Sequence, residues 1–396
     1  MKNIAYIFAA SVILFTACSD DGAKVVEAPE LEAGQSRAAE ALNDFDIDFF
    51  EAMSEANKGE NLVVSPMSAS MLLSYIANVT DRETTEQICS ALGCSDLKSL
   101  NELAQKYGNW MPVADSKVKV CIAYSVWYHN AYTLNPVFDN IGSEYYKAQS
   151  FARDFGQGLS VAEQINKWAS DKTKGLINKV IDGIPANNPA ILLNAMYFKG
   201  EWTDKFDKKE TEDETFHGEL RDNIVKMMYR ESHREMAVTP EYQLVRQTFS
   251  KKMYYVDLIL PAEGTGIDEF IASGALKTIK SVKLTDKNFT LGLPKFKIEP
   301  DKELKLTEVL SEIGIDNLKD ARIKGLFTQD ISAAFDLCQY NTLEFDENGA
   351  TAASVTRSDL DMAPQPDMLV FDRPFVALIK EAMTDRILFA AKIVNL

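Results

Sequence analysis

Residues 347–364 read Glu347-Asn348-Gly349-Ala350-Thr351-Ala352-Ala353-Ser354-Val355-Thr356-Arg357-Ser358-Asp359-Leu360-Asp361-Met362-Ala363-Pro364, a strand-like segment near the C-terminus with a clean period of two. One face carries Ala350, Ala352, Ser354, Thr356, Ser358, Leu360 and Met362. The other carries Thr351, Ala353, Val355 and then every charge: Arg357, Asp359 and Asp361. Such a pattern suits a sheet with one buried face. Yet Gly349 and the Ala/Ser run are poor material for a permanent strand, which favours branched and aromatic side chains, and Pro364 ends any ladder. The composition suits a segment with two states. Within this window alone, a hairpin competes: Leu343–Glu347 as one strand, Asn348-Gly349 as a type I′ turn, and the alternating stretch as its partner.

The rest of the chain sets the context. Its 396 residues, 46% hydrophobic and 10% aromatic, carry no low-complexity tract or internal repeat, so it can bury a large core. Length alone suggests about two or three domains, but no composition break divides residues 36–396. The formal net charge of -17 argues against a nucleic-acid partner and favours a cationic one. No Gly-x-Ser-x-Gly elbow, His-Glu-x-x-His, Walker loop or Cys-x-x-Cys occurs, so no enzymatic role is expected. His129, His217 and His233 read as surface or loop residues. Cys89, Cys94, Cys121 and Cys338 show no metal-ligand spacing, and neither metal nor cofactor is expected. Cys89 and Cys94 sit at a helix end and its turn, where a local disulfide and free thiols both fit.

The N-terminus reads as a processing segment. Lys2 is followed by an apolar run from Ile4 to Phe15, shorter than the roughly 20 residues a membrane span needs. Phe15-Thr16-Ala17-Cys18 resembles a bacterial lipoprotein signal, which makes residues 1–17 a signal peptide and Cys18 the lipid attachment site. Ser19-Asp20-Asp21 resembles the acidic export signal of some surface lipoproteins. Residues 18–35 then read as a flexible tether. The expected location is a surface-exposed outer-membrane lipoprotein, or otherwise a periplasmic or secreted one, touching membrane through its lipid alone.

Apolar positions at helical spacing predict helices over 36–57, 65–79, 82–110, 136–148 and 160–173. Strands are predicted over 118–128, 190–198, 223–229, 254–260, 289–298, 335–345, 368–371, 375–380 and 387–394. A helical half followed by a strand-rich half predicts an α+β fold with antiparallel or mixed sheets.

Several separated motifs then agree on one family. Asn61–Ser74, Ile165-Asn166-Lys167-Trp168 with Thr173-Lys174-Gly175, Asn194–Trp202, Val225-Lys226-Met227-Met228, Leu293-Pro294-Lys295-Phe296 and Arg373-Pro374-Phe375 resemble, in order, the signature segments of serpins. The resemblance covers residues 36–396. It implies one domain with three β-sheets, about nine helices and an exposed reactive-centre loop, here 347–366.

In such a fold a protease cleaves the loop, stays acylated, and is carried off as the loop enters the central sheet. The hinge would comprise Glu347, Gly349, Ala350, Thr351, Ala352, Ala353, Ser354, Val355 and Thr356. The resemblance places Ser65, Ser68, Asn194 and Gln339 at the shutter where the sheet opens, and Trp202 at the breach. Gln339 stands where many serpins have histidine. Lys295 and Glu347 match a pair that restrains the hinge. Aligned lengths put the scissile bond at Ala363-Pro364; because proline after the cut is resisted, Met362-Ala363 is the first choice and Ala363-Pro364 the second. Either bond implies an elastase-like or chymotrypsin-like serine protease as partner. A non-inhibitory binding protein and a cysteine-protease inhibitor are the alternatives. A monomer is expected. Glycosaminoglycan activation is not, since Asp96–Trp110 carries only Lys98 and Lys106.

Overall fold

The computed structural model describes residues 25–94, 96–299, 304–316, 318, 324–331, 337–349 and 367–396. Helices dominate the first part: α1 (Ala33–Glu55), α2 (Pro66–Ile76), α3 (Arg82–Ala91), α4 (Leu97–Trp110), α5 (Pro136–Ile141) and α6 (Gly158–Lys172), with α7 (Ile267–Ala272) and α8 (Thr307–Glu312) later. The strands are β1 (Leu62–Val64), β2 (Val118–His129), β3 (Gln149–Arg153), β4 (Ala190–Gly200), β5 (Thr211–His217), β6 (Asp222–Val238), β7 (Tyr242–Phe249), β8 (Tyr254–Pro261), β9 (Thr285–Ile298), β10 (Leu304–Lys305), β11 (Cys338–Gln339), β12 (Leu343–Phe345), β13 (Met368–Val370), β14 (Phe375–Glu381) and β15 (Ile387–Ile393).

Among the described residues these strands form three sheets. One follows the path β1-β15-β14-β8-β7-β6-β9-β12, with β5 on β6 and β13 on β9; a second is β3-β2-β4; β10 and β11 form a short third. The pairings of β13 with β9 and β2 with β3 are parallel and the others antiparallel. The sheets are therefore mixed, as the strand-rich half predicts.

The centre of the molecule follows from three apolar runs. Every residue of α2 is buried, because Met67, Ala69, Met71, Leu72, Leu73 and Ile76 leave no polar stripe wide enough to face water. Ser65 starts this helix, its side chain accepting from Ser68 N, with Pro66 at the first helical position. Strands β14 and β15 are buried on both faces, which their near-continuous hydrophobic sequences require.

One ion pair crosses this core. Arg386 donates to both carboxylate oxygens of Asp46, at 2.7 and 2.9 Å, and to Ser70 Oγ at 2.6 Å, while Ile387 N also donates to Asp46. Both ends of the pair are fully buried. It joins α1, α2 and the start of β15.

Some boundaries differ from the sequence reading. The helix predicted over 82–110 is two: α3 stops at Gly93, whose φ of 62° permits the left-handed closing turn in which Cys94 N donates to Cys89 O and Gly93 N to Ser90 O. Cys89 and Cys94 are free thiols. The helix predicted over 136–148 shortens to α5 and a single π turn, and Lys147, at φ 52°, redirects the chain into β3. The tether expected over 18–35 does not extend that far. From Val25 onward the chain is docked: Val25 bridges Asp115, Val26 N donates to Ala114 O, and Trp110 Nε1 donates to Val26 O. Helix α1 begins at Ala33.

Removing one partner of a buried pair leaves an uncompensated charge, which costs about 3–5 kcal/mol. Asp46→Ala is therefore expected to lower unfolding free energy by that amount in urea titration, and by more than Asp44→Ala on the exposed side of the same helix.

Candidate functional site

Among the described residues, strand β4 is paired on one side only. Toward β2 the ladder runs without a break from Val118↔Gly200 to Tyr128↔Ala190. On its other side lies the segment Cys338–Phe345, and among the described residues no ladder joins the two; β12 pairs with β9 instead. Between them is a cavity of about 350 Å³, lined by Trp168 of α6, Leu193, Asn194, Ala195, Cys338 and Tyr340. The two edges leave a slot for a strand.

They meet at one end. Glu201 bridges Gly349, Trp202 N donates to Asn348 O at 2.8 Å and Phe206 N to Glu347 O at 2.9 Å. Asp346 and Gly349 exchange backbone hydrogen bonds, so the turn has Glu347 and Asn348 at its centre. A type I′ turn at Asn348-Gly349, which the competing hairpin requires, is not formed: of these two residues only Gly349 has positive φ, 131°. No other residue fits there. A Cβ on Gly349 would lie 2.1 Å from Gly200 O and 2.7 Å from Trp202 N.

Trp202 fastens this corner. Its ring stacks on Phe249 at 4.5 Å and meets Phe345 edge-on at 5.3 Å, and its indole N–H donates to Asp346 O at 2.9 Å. Lys295, on β9, donates to Glu347 Oε2 at 2.9 Å. The Glu347 side chain is only 6% exposed. Burial by itself pushes its carboxyl up, but the Lys295 hydrogen bond, with backbone donation and the charges of Lys295 and Lys208, outweighs that and holds it below the ordinary 4.5.

Midway along the slot, α2 braces both edges from beneath. On the β4 side, Ser68 Oγ donates to Asn194 Oδ1. On the other side, Gln339 makes a reciprocal pair with Ser65: Ser65 N donates to Gln339 Oε1 at 3.0 Å, and Gln339 Nε2 donates to Ser65 O at 2.8 Å. Asn341 Nδ2 also donates to Gln339 Oε1, at 3.1 Å. Ser65 Oγ is committed to Leu388 O at 2.6 Å. The amide thus both donates and accepts where an imidazole would need one tautomer.

The structure thus gathers the sequence-selected residues into two groups, Trp202, Lys295, Glu347 and Gly349 at the end of the slot, and Ser65, Ser68, Asn194 and Gln339 along it. Ala350, Thr351, Ala352, Ala353, Ser354, Val355, Thr356, Met362, Ala363, Pro364 and Cys18 lie outside the described residues. Two participants escaped the sequence reading. Asp346 supplies a carbonyl rather than its side chain to Trp202, and Asn341 is two residues from Gln339 on an irregular stretch. Backbone acceptors leave no residue-type signal.

The serpin (serine protease inhibitor) sequence profile matches residues 40–396. Serine protease inhibitor 42Dd of Drosophila melanogaster is 29% identical over 367 residues, covering 88% of this chain and 95% of that protein. Corticosteroid-binding globulin of Ovis aries is 26% identical over 364 residues, covering 89% and 84%. Among solved structures, the thermophilic serpin Tengpin in its native state superimposes with a TM-score of 0.80 at 27% identity, covering 94% of this chain and 96% of that one.

Because Glu347 has a lowered pKa in the folded chain, its restraint is complete above pH 4.5 and is lost as pH falls through the lowered value. Glu347→Lys, which sets two cations against each other, is expected to speed conversion to inactive monomer or polymer on warming at pH 7. The unaltered chain should do so only on acidification below about pH 4.5, read by native gel electrophoresis. Equal rates at pH 7 for the variant and the unaltered chain would contradict a restraining role.

Proposed function

The chain belongs to the serpin family, and on that premise we propose that it inhibits a serine protease as a suicide substrate, trapping it by loop insertion. The observation that carries this reading is the edge of β4 opposite Cys338–Phe345, which forms no ladder among the described residues, with Gly349 bridged to Glu201 at its entrance. A strand continuing from Gly349 enters beside β4 and extends the sheet along the side of β4 that faces away from β2.

The protease serine attacks the carbonyl of Met362 or of Ala363, the leaving amine departs with Ala363 or Pro364, and the loop remains esterified to the enzyme. Freed at one end, the segment from Ala350 adds to the sheet. Each new ladder bond contributes about 0.5–1.5 kcal/mol, whereas fixing each residue costs roughly 1–2 kcal/mol of backbone entropy. Hydrogen bonds alone therefore do not drive insertion. Burial of inserted side chains against Trp168, Ala195 and Leu193 in the cavity beside β4 supplies the balance.

The sequence of the hinge supports inhibition over simple binding. Small side chains from Ala350 to Thr356 enter without displacing α6, and Arg357, Asp359 and Asp361 share the face turned from the core. The serpin family contains inhibitors and binding proteins, as the names of the relatives above illustrate. Its members are mostly inhibitors and binding proteins rather than catalysts. Anchoring at Cys18 through a lipid, on an outer-membrane surface, is the second part of the proposal, and rests on the Phe15–Cys18 signal and the acidic residues after it.

Incubation with pancreatic elastase or chymotrypsin is expected to yield a protease complex that survives boiling in detergent, and a released C-terminal peptide beginning at Ala363 or Pro364. Complete cleavage without complex would contradict inhibition by trapping. Cys18→Ala is expected to release the protein from membranes; unchanged membrane association would remove the lipid anchor from the account.

A further inference from the structure

The docked N-terminal segment fixes where an anchor at Cys18 pulls on the molecule. Residue Val25 bridges Asp115, in the turn between α4 and β2. Asp115 accepts from Ser250 Oγ at 3.1 Å and from Lys251 N at 2.9 Å, Ser250 N donates to Glu201 O at 2.8 Å, and Glu201 bridges Gly349. Four successive contacts therefore connect the anchor segment to the point where the reactive loop leaves the body. The register agrees: Val118, the first residue of β2, pairs with Gly200, the last of β4, so Asp115 lies past the end of the sheet where the slot begins. Beyond Val26 the segment runs back along α4, where Lys106 Nζ donates to Glu30 O, and enters α1. The segment is held at several points.

Covalent geometry limits the free part. The stretch from Cys18 to Val25 reaches about 25 Å at full extension. From its Gly200 end to its Ala190 end, β4 extends roughly 35 Å in the opposite direction. A bilayer holding Cys18 is within reach of the loop-bearing pole and far from the other.

We propose that the tether holds the loop-bearing pole toward the lipid surface, so that insertion beside β4 carries a captured protease from the membrane-proximal pole to the membrane-distal one. This deepens the inhibitory reading and rests on the anchor at Cys18 proposed above. The partner this orientation selects is a protease working at or near the same lipid surface. The device is a short leash, and its operative feature is the docking of Val25 and Val26 rather than the anchor chemistry.

The test uses the full mature chain with Cys18 replaced by a hexahistidine tag, bound to phosphatidylcholine vesicles containing a nickel-chelating lipid and an acceptor dye. A donor dye is placed through an azido amino acid at Lys209, exposed beside Glu347, or at Asn187, exposed just before β4 at the far end. Energy transfer from Lys209 is expected to exceed that from Asn187 severalfold. The difference should vanish when a Gly/Ser linker of roughly 40 residues, spanning about 35 Å on average, is inserted between Asp21 and Gly22. Equal transfer from the two positions, or stronger transfer from Asn187, would overturn the orientation. Fatty-acid labelling of Cys18 in a Gram-negative host tests the anchor separately. A preference on vesicles without labelled Cys18 would refute the membrane role while leaving the docking geometry intact, and complex formation with elastase in solution would be unaffected by either result.

Discussion

Two strand edges that face each other and, among the described residues, share no ladder are the condition on which the remaining structure turns. A buried edge leaves its amides and carbonyls without ladder partners, a situation folded proteins otherwise avoid. Among the described residues, β4 forms no ladder on the side that faces the segment Cys338–Phe345, beneath α6. The edges are kept in place from below by α2, through Ser68 to Asn194 and through Ser65 to Gln339. They are closed at one end by Trp202, Glu347 and Gly349. On the proposed mechanism, stability gained by filling the slot is withheld until the loop is free to enter.

The two groups of contacts differ in strength for physical reasons. The end clamp combines stacked aromatic rings, backbone hydrogen bonds and an ion pair whose lysine is half-exposed, so it can yield to a competing strand. The braces from α2 are neutral hydrogen bonds between buried or half-buried groups, where an unmade bond costs the desolvation of its donor or acceptor. On the proposed mechanism, opening at the entrance precedes rearrangement in the middle. The deeply buried Asp46–Arg386 pair lies outside this path and ties α1 and α2 to β15 as a fixed frame.

Much of this arrangement was legible in the sequence because its pieces are local patterns. The fully buried α2 and the doubly buried β14 and β15 follow directly from their hydrophobic runs. The Gly349 position is legible as glycine and wrong as a turn type, because the close approach of Gly200 O, a tertiary contact, overrides the local Asn-Gly preference. Strand β5 was not predicted: Glu212, Asp213 and Glu214 are all exposed on an edge strand paired with β6, and three consecutive carboxylates read as loop. Strand β7 was also passed over; Arg246 and Gln247 interrupt its apolar pattern, although Gln247 is buried against Arg234 and Arg246 is paired with buried Asp257. The Asp46–Arg386 pair joins residues 340 apart in sequence, and no single-sequence pattern can relate them. Among the site residues, the shutter and breach positions came from family resemblance rather than spacing, and the structure places them in the two groups described.

The account stands on the claim that the chain is held short of its most stable fold by an uncut loop. Thermal unfolding of the intact protein beside the same protein nicked within 362–364 tests this most directly. A cleaved chain that melts well above the intact one, with its fragment retained, is the predicted result. Identical melting temperatures would mean that cutting releases nothing, and would contradict the account.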